Sequence, residues 1–252
     1  MNDSEYRPEM TNAGLSYSEP SRVVDEYGDV REIELVGERP MTIYVDKQEI
    51  VTLMTIGTHP ELLTLGYLKN QGFFEKIKEI KIVQVDWETE AVAVVTHQSD
   101  ADFSEQMSRR TVTTGCGQGT VFGRLMEKLK TIRVPESRIR QSTLYDLLES
   151  VREHNEVYKK AGAVHGCALC WQSDVLDFVE DVGRHNAVDT LAGRQWLQQA
   201  DSANADIFYT TGRLTSEMVL KVAQMRIGIL VSRSGVTQKG VELAERFGVM
   251  LI

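Results

Sequence analysis

Apolar and polar positions alternate through the first third of the chain and then change period. Ile33 and Leu35 lead into Met41, Ile43 and Val45, and then into Ile50, Leu53, Met54 and Ile56, largely at the two-residue spacing of half-buried strands. Asp46-Lys47-Gln48 between them predicts a hairpin turn. Thr58-His59-Pro60-Glu61 predicts a helix start with Thr58 as cap and Pro60 in the first turn, and Leu62, Leu63, Leu65, Gly66 and Leu68 carry that helix to Gly72. Ile77–Val85 and Ala91–Thr96, turning through Glu88-Thr89-Glu90, predict a second hairpin. Residues 27–114 therefore read as a small α+β unit, with a strand ending over Thr111–Thr114. Residues 1–26 are polar and without periodicity, and a mobile tail is expected there.

The second half follows a helical period broken by short apolar runs. Ser142 opens a long helix with Leu144, Leu147, Leu148, Val151 and Val157 on one face, stopped by Gly162. Ala163–Trp171 and Val175–Asp181 predict two strands about Gln172-Ser173-Asp174. Helices starting at Gly183-Arg184-His185, Leu214 and Thr237 then alternate with strands at Ile207–Thr210, Ile227–Ser232 and Val249–Ile252. The order α-β-β-α-β-α-β-α-β over 142–252 predicts an α/β fold, a three-layer α/β/α sandwich beside the smaller N-terminal α+β unit. Residues 115–141 are left as a loop and connecting helix between them.

Composition narrows the function classes. The chain has 252 residues, 42% hydrophobic and 26% charged, as in ordinary soluble proteins. No apolar run approaches the ~20 residues that span a bilayer, so no membrane partner is expected. The start has no basic-then-apolar signal pattern, and three cysteines are too few for a disulfide scaffold. The reducing cytoplasm is the expected compartment. A net charge of −9 argues against sequence-independent nucleic-acid binding.

Cys116 lies in Thr113-Thr114-Gly115-Cys116-Gly117-Gln118-Gly119-Thr120, a run of small and polar residues feeding the apolar-periodic segment Val121, Phe122, Leu125 and Met126. A thiol before a helix start is accessible and favoured as thiolate, which makes a reactive cysteine one reading and a small loop residue the other. Three predicted strand ends carry arginine: Gly183-Arg184-His185-Asn186, Gly212-Arg213-Leu214-Thr215-Ser216 and Ser232-Arg233-Ser234. Ligands of open α/β sheets gather at such ends, and helix starts bind anions, so a phosphate-rich ligand competes here with plain turn chemistry. Glu180 and Asp181 are candidates for a ribose or a metal, against a solvated acidic turn. His165, Cys167 and Cys170 with Cys116 have the composition of a zinc site. However, Cys167 and Cys170 are three positions apart on one strand and should face opposite sides, so no metal is expected.

The chain resembles the FdhD/NarQ family of formate dehydrogenase accessory sulfurtransferases over about residues 30–252. The resemblance is carried by Glu180-Asp181-Val182-Gly183-Arg184-His185-Asn186-Ala187-Val188-Asp189 and by Thr211-Gly212-Arg213-Leu214-Thr215-Ser216-Glu217-Met218-Val219, continuing to Ser232-Arg233-Ser234. It implies a cytidine deaminase-like C-terminal domain. It also implies a sulfur carrier that takes persulfide sulfur from a cysteine desulfurase and passes it to the molybdenum bis(guanine dinucleotide) cofactor before insertion into formate dehydrogenase. Cys116 is then the carrier thiol. Gly183, Arg184, His185, Asn186, Gly212, Arg213, Thr215, Ser216, Arg233 and Ser234 are then the cofactor-binding set, and a homodimer is expected. The alternatives are a molybdenum-cofactor-binding chaperone or a guanine-nucleotide-binding regulator, both without sulfur transfer. The zinc ligands of a deaminase would fall at His185-Asn186-Ala187 and Arg213-Leu214-Thr215-Ser216, where the required set is missing, so neither zinc nor deamination is implied. The family loop reads Cys-Gly-x-Cys-Gly, and Gly119 stands at its second cysteine. The family also continues past the last strand with a Gly-Phe-Ala-Arg-Gly-like segment, whereas this sequence stops at Ile252, so either it is truncated or part of the cofactor grip is missing.

Overall fold

The computed structural model describes residues 6–97, 111–112, 119–120, 132–198 and 204–252. Its N-terminal unit contains strands β1 (Glu9–Met10), β2 (Ser18–Val24), β3 (Val30–Val36), β4 (Arg39–Val45) and β5 (Gln48–Thr55), helix α1 (Pro60–Asn70), and strands β6 (Ile80–Asp86) and β7 (Ala91–Thr96). Five of these strands form a sheet in the order β1-β6-β7-β4-β5, while β2 and β3 pair as a separate hairpin. The β4–β5 turn falls where expected, with Asp46 and Lys47 at φ of 45° and 71°, the left-handed pair that matches strand twist in a tight hairpin. Met41, Ile43, Ile50, Leu53, Val83 and Val92 pack against Leu65, Tyr67 and Leu68 of α1 in one core.

Three expectations for this half are corrected. Residues 6–26 are not an unstructured tail, because β1 pairs in parallel with β6 and β2 pairs with β3. Hydrogen bonds and apolar contacts hold this segment: Trp87 Nε1 donates to the Ala13 carbonyl at 2.7 Å, the Ala13 amide donates to Glu61 at 2.7 Å, and Tyr6 and Met10 pack against the N-terminal core. The cap of α1 is His59 rather than Thr58, and no side chain caps it. The segment Ile77–Glu79 is a 3-10 turn, so the strand begins only at Ile80.

The C-terminal domain has helices α2 (Gln141–Glu153) and α3 (Glu156–Ala161), strands β10 (His165–Trp171) and β11 (Asp174–Asp181), helix α4 (Arg184–Gln198), strand β12 (Ile207–Thr210), helix α5 (Ser216–Gln224), strand β13 (Ile229–Ser232), helix α6 (Gln238–Phe247) and strand β14 (Met250–Leu251). A short pair, β8 (Thr111–Val112) with β9 (Gly119–Thr120), lies between the units. Of the expected connecting helix, the described residues 132–140 carry no regular element. The sheet order is β11-β10-β12-β13-β14, with β12, β13 and β14 parallel and β10 antiparallel to both neighbours.

Alternate residues of each strand feed two cores. Cys167, Leu169, Phe208 and Leu230 pack under α4, α5 and α6, whereas Ala168, Cys170, Tyr209 and Val231 pack against Leu147 and Val151 of α2. This is the expected α/β/α layering. Thr237 caps α6 as expected, its side chain accepting from the Gly240 amide at 3.1 Å. The single helix expected from Ser142 through Val157 is two, broken at His154 and Asn155. The break is stabilised because Glu180 accepts the Val157 and Tyr158 amides at 2.8 and 3.0 Å, capping a new helix start. Helix α4 serves both units, since its Trp196 and Leu197 complete the N-terminal core. Among the described residues no helix is long and apolar enough to cross a membrane.

Candidate anion site at the strand ends

Sheet register brings the arginine turns together. Because β10 runs antiparallel to both neighbours, its first residue, His165, stands opposite Asp181 at the end of β11, and the Thr211 amide after β12 donates to the Gly166 carbonyl at 3.0 Å. The β13 turn is tied to the β12 turn, with Ser232 Oγ donating to the Gly212 carbonyl at 2.7 Å and accepting from the Ser234 amide at 2.9 Å. Asn155, Tyr158, His165, Thr211 and Arg233 line a pocket of about 230 Å³ at these ends.

Arg184 is the first residue of α4 and is only 5% exposed. Its side chain lies across Gly212, where an added β-carbon would stand 2.5 Å from Arg184 Cδ. The Nε and Nη2 donors of its guanidinium meet no partner among the described residues. Buried donors of this kind are costly unless paired, and a guanidinium at a strand end is the fork that fits phosphate. Arg213 and Arg233 are exposed and add charge from the neighbouring turns. Burial lowers the His165 pKa first, and Arg184 and Arg213 lower it further, so the imidazole beside the pocket is neutral at physiological pH. Burial raises the Tyr209 pKa, with the Arg233 charge and hydrogen bond opposing it.

Other members of the expected set have internal duties. Asn186 is buried, and its amide donates to the Met54 carbonyl at 2.7 Å and to Asp181 at 2.8 Å. Asp181 is consumed by hydrogen bonds from Thr55, Ile56, Gly183 and Asn186, and Glu180 by the α3 cap. Both carboxylates are buried rather than free for a ribose or metal, and burial raises their pKa values. Thr215 caps α5 by position, yet its buried hydroxyl has no hydrogen-bond partner among the described residues. Ser216 follows it, half-buried, and Ser234 is exposed.

His185 points away from solvent, 2% exposed, with Nε2 3.4 Å from Glu217. Lys221, one turn after Glu217, sits 3.7 Å from it and 2.8 Å from Asp189, which also accepts from Asn70 at 2.7 Å. A lysine ammonium thus balances charge between two buried carboxylates. Burial lowers the His185 pKa, Lys221 and Arg184 lower it further, and Glu217 opposes them. Among the described residues no group of three or more His, Cys, Asp or Glu could hold a metal ion.

Cys116, the expected carrier, lies outside the described residues. Cys167 and Cys170 lie on opposite faces of β10 in different cores. Both are fully buried, and burial pushes both thiols up to about 12. Neither is available as a second exchanging thiol. His165 was legible only as part of a metal-like Cys spacing, and Asn155 and Tyr158 were hidden by the unforeseen helix break. Lys221 carried no signal, because its buried partner Asp189 lies 32 positions away in sequence.

The chain matches the model of the FdhD/NarQ family over residues 36–252. It is 30% identical to sulfur carrier protein FdhD of Bacillus subtilis over 90% of this chain and 87% of that protein. It is 28% identical to sulfur carrier protein FdhD of Listeria monocytogenes over 90% and 88%. It is also similar to a crystal structure from Desulfotalea psychrophila described as a formate dehydrogenase accessory protein, with a TM-score of 0.71, 27% identity and coverage of 94% and 91% of the two chains. With the family's match running from the end of β3 through all three arginine turns, the chain belongs to the FdhD/NarQ family.

Proposed function

We propose that this chain is a sulfur carrier for formate dehydrogenase maturation, which binds the guanine nucleotide arm of the molybdenum cofactor as its client at the strand ends. The observation that carries the binding half is Arg184, a buried guanidinium with two unpartnered donors, near enough to lower the pKa of His165, which lines a pocket with Thr211 and Arg233. An anionic phosphate supplies the charge and acceptors that these donors lack. Family membership and the names of the relatives support the carrier half.

In the carrier step the Cys116 thiolate attacks the outer sulfur of a cysteine desulfurase persulfide. The S–S bond of the donor breaks, the desulfurase thiolate leaves, and Cys116 holds the sulfur as its own persulfide. This step needs one thiol, so Gly119 at the second loop position does not prevent it. Onward transfer makes the molybdenum cofactor the acceptor and formate dehydrogenase the beneficiary.

Two measurements test this reading. Incubation with a cysteine desulfurase and radioactive cysteine should label the wild type and not Cys116→Ala. Calorimetry with GDP should show Arg184→Ala weakening binding ten-fold or more, since charge-assisted contacts contribute about 1.5–3 kcal/mol each. GDP binding without sulfur loading would leave a cofactor chaperone or nucleotide-binding regulator, and sulfur loading with unchanged GDP affinity in Arg184→Ala would move the nucleotide elsewhere.

A further inference from the structure

One buried carboxylate joins the strand-end site to the N-terminal sheet. Each oxygen of Asp181 serves a different unit. Oδ1 accepts from the Gly183 amide at 2.9 Å and from Asn186 Nδ2 at 2.8 Å, both in the turn that launches α4. Oδ2 accepts from Thr55 Oγ1 at 2.5 Å and from the Ile56 amide at 3.3 Å, both at the end of β5. Asn186 adds a second tie through the Met54 carbonyl at 2.7 Å. Asp181 is 3% exposed and Asn186 1%, so water does not compete for these bonds.

The turn has little slack. A β-carbon on Gly183 would lie 3.1 Å from Asn186 Nδ2, and the Ala187 amide already donates to the Gly183 carbonyl at 3.1 Å. Gly183 precedes Arg184 directly, so the amide that Asp181 holds lies one residue before the backbone that carries the guanidinium. The four hydrogen bonds to Asp181 all come from neutral donors. Burying a carboxylate on neutral donors costs stability, and an apolar contact would join the two units more cheaply. What the carboxylate adds is fixed geometry, with four acceptor directions read from two units at once.

We propose that Asp181 is a positioning residue that couples the anion site at Arg184 to the end of β5, so that ligand binding there is felt by Thr55 and Ile56. This rests on the reading of the strand ends as an anion site. Thr55 is the informative place to intervene, because it touches the carboxylate from outside the arginine turns. In metal sites, loss of the outer hydrogen-bond partner of a ligand costs about 10-fold or more in affinity, and a loss of positioning of that size is expected here.

The test uses the full chain, GDP as probe, calorimetry, and hydrogen exchange at residues 54–57. Wild type should show slower exchange of the Ile56 and Gly57 amides when GDP is added. Thr55→Val should bind GDP about ten-fold more weakly and lose that response, while Thr55→Ser, which keeps the hydroxyl, should restore both. Asp181→Asn should behave like Thr55→Val if it folds. Wild-type affinity in Thr55→Val, or no GDP response at Ile56 and Gly57 in the wild type, would overturn the coupling while leaving the strand-end reading intact, provided Arg184→Ala weakens binding. An unchanged affinity in Arg184→Ala would instead remove the anion site itself and this proposal with it.

Discussion

Gly66 of α1 and Gly193 of α4 face each other where the two units meet. A β-carbon on Gly66 would overlap the Asp189 carbonyl oxygen, and one on Gly193 would overlap the Leu62 carbonyl oxygen. With no side chain between them the two backbones approach closely. That approach lets Asn70, at the end of α1, reach Asp189 in the buried ionic cluster. Gly66→Ala and Gly193→Ala should each lower stability by about 1–3 kcal/mol or more, since neither backbone can yield without moving a whole helix. Urea denaturation reads the effect. Gly235→Ala, where a β-carbon meets nothing within 4 Å, is the matched control and should stay within about 0.5 kcal/mol of wild type.

The chain holds three cysteines, and two of them are buried with thiols pushed up to about 12. At neutral pH on the order of one thiol in a hundred thousand is then ionised at either position, apart from the steric block of burial. Alkylation of the native protein should therefore modify one cysteine per chain, and Cys116→Ala should modify none. Denaturation should expose all that remain. Fast native labelling of Cys167 would contradict its placement beneath α4.

The layered C-terminal domain was legible because each of its elements has a period of its own. Strands such as Ile207–Thr210 are continuously buried since both faces are covered, and α6 shows one clean apolar face closed by Thr237 and Gly248. The N-terminal strands β1 and β2 were not legible, because hydrogen bonds to Glu61 and Trp87 and cross-strand pairing hold that segment, and none of these leaves a hydrophobic period. The arginine turns were visible as motifs. Their unequal status was not, since burial of Arg184 depends on Gly212 lying beneath it, 28 positions away in sequence. The roles of Asp181 and Asn186 depend on contacts to residues 54–56, which no local pattern encodes.

Buried His185 makes acid stability a direct test of the site's interior. Burial, Lys221 and Arg184 hold its pKa below the ordinary 6.5. The unfolded chain therefore takes up a proton on this residue at a higher pH than the folded one. Its contribution to stability is complete above about 6.5 and is lost as pH falls below that value, at up to about 1.4 kcal/mol per pH unit. Asp181 and Asp189, whose pKa values burial raises, act in the opposite sense, so the difference between two proteins is the clean readout. Between pH 7 and 5 the wild type should lose more unfolding free energy than His185→Gln. Parallel pH profiles for the two would show that folding leaves the His185 pKa unshifted.

His165 offers the corresponding test from the ligand's side. It is half-buried at the pocket, and Thr211 Oγ1 lies 3.3 Å from its Nδ1. Burial comes first and Arg184 and Arg213 second in lowering its pKa, so the free protein holds it neutral near pH 7. A bound phosphate would cancel the repulsion from those arginines and favour the imidazolium, raising the pKa in the complex. Binding then takes up protons, and by linkage the affinity must rise as pH falls through the window between the free and bound values, by at most ten-fold per pH unit. Protonation of the GDP phosphate itself works against this rise at the acid end, and it does so equally for any variant. The comparison is therefore wild type against His165→Asn, titrated with GDP from pH 8 to 5.5. Wild-type affinity should gain on the variant steadily as pH is lowered, and the two should converge at pH 8. A constant ratio across that range would mean that the ligand's phosphates do not lie against His165.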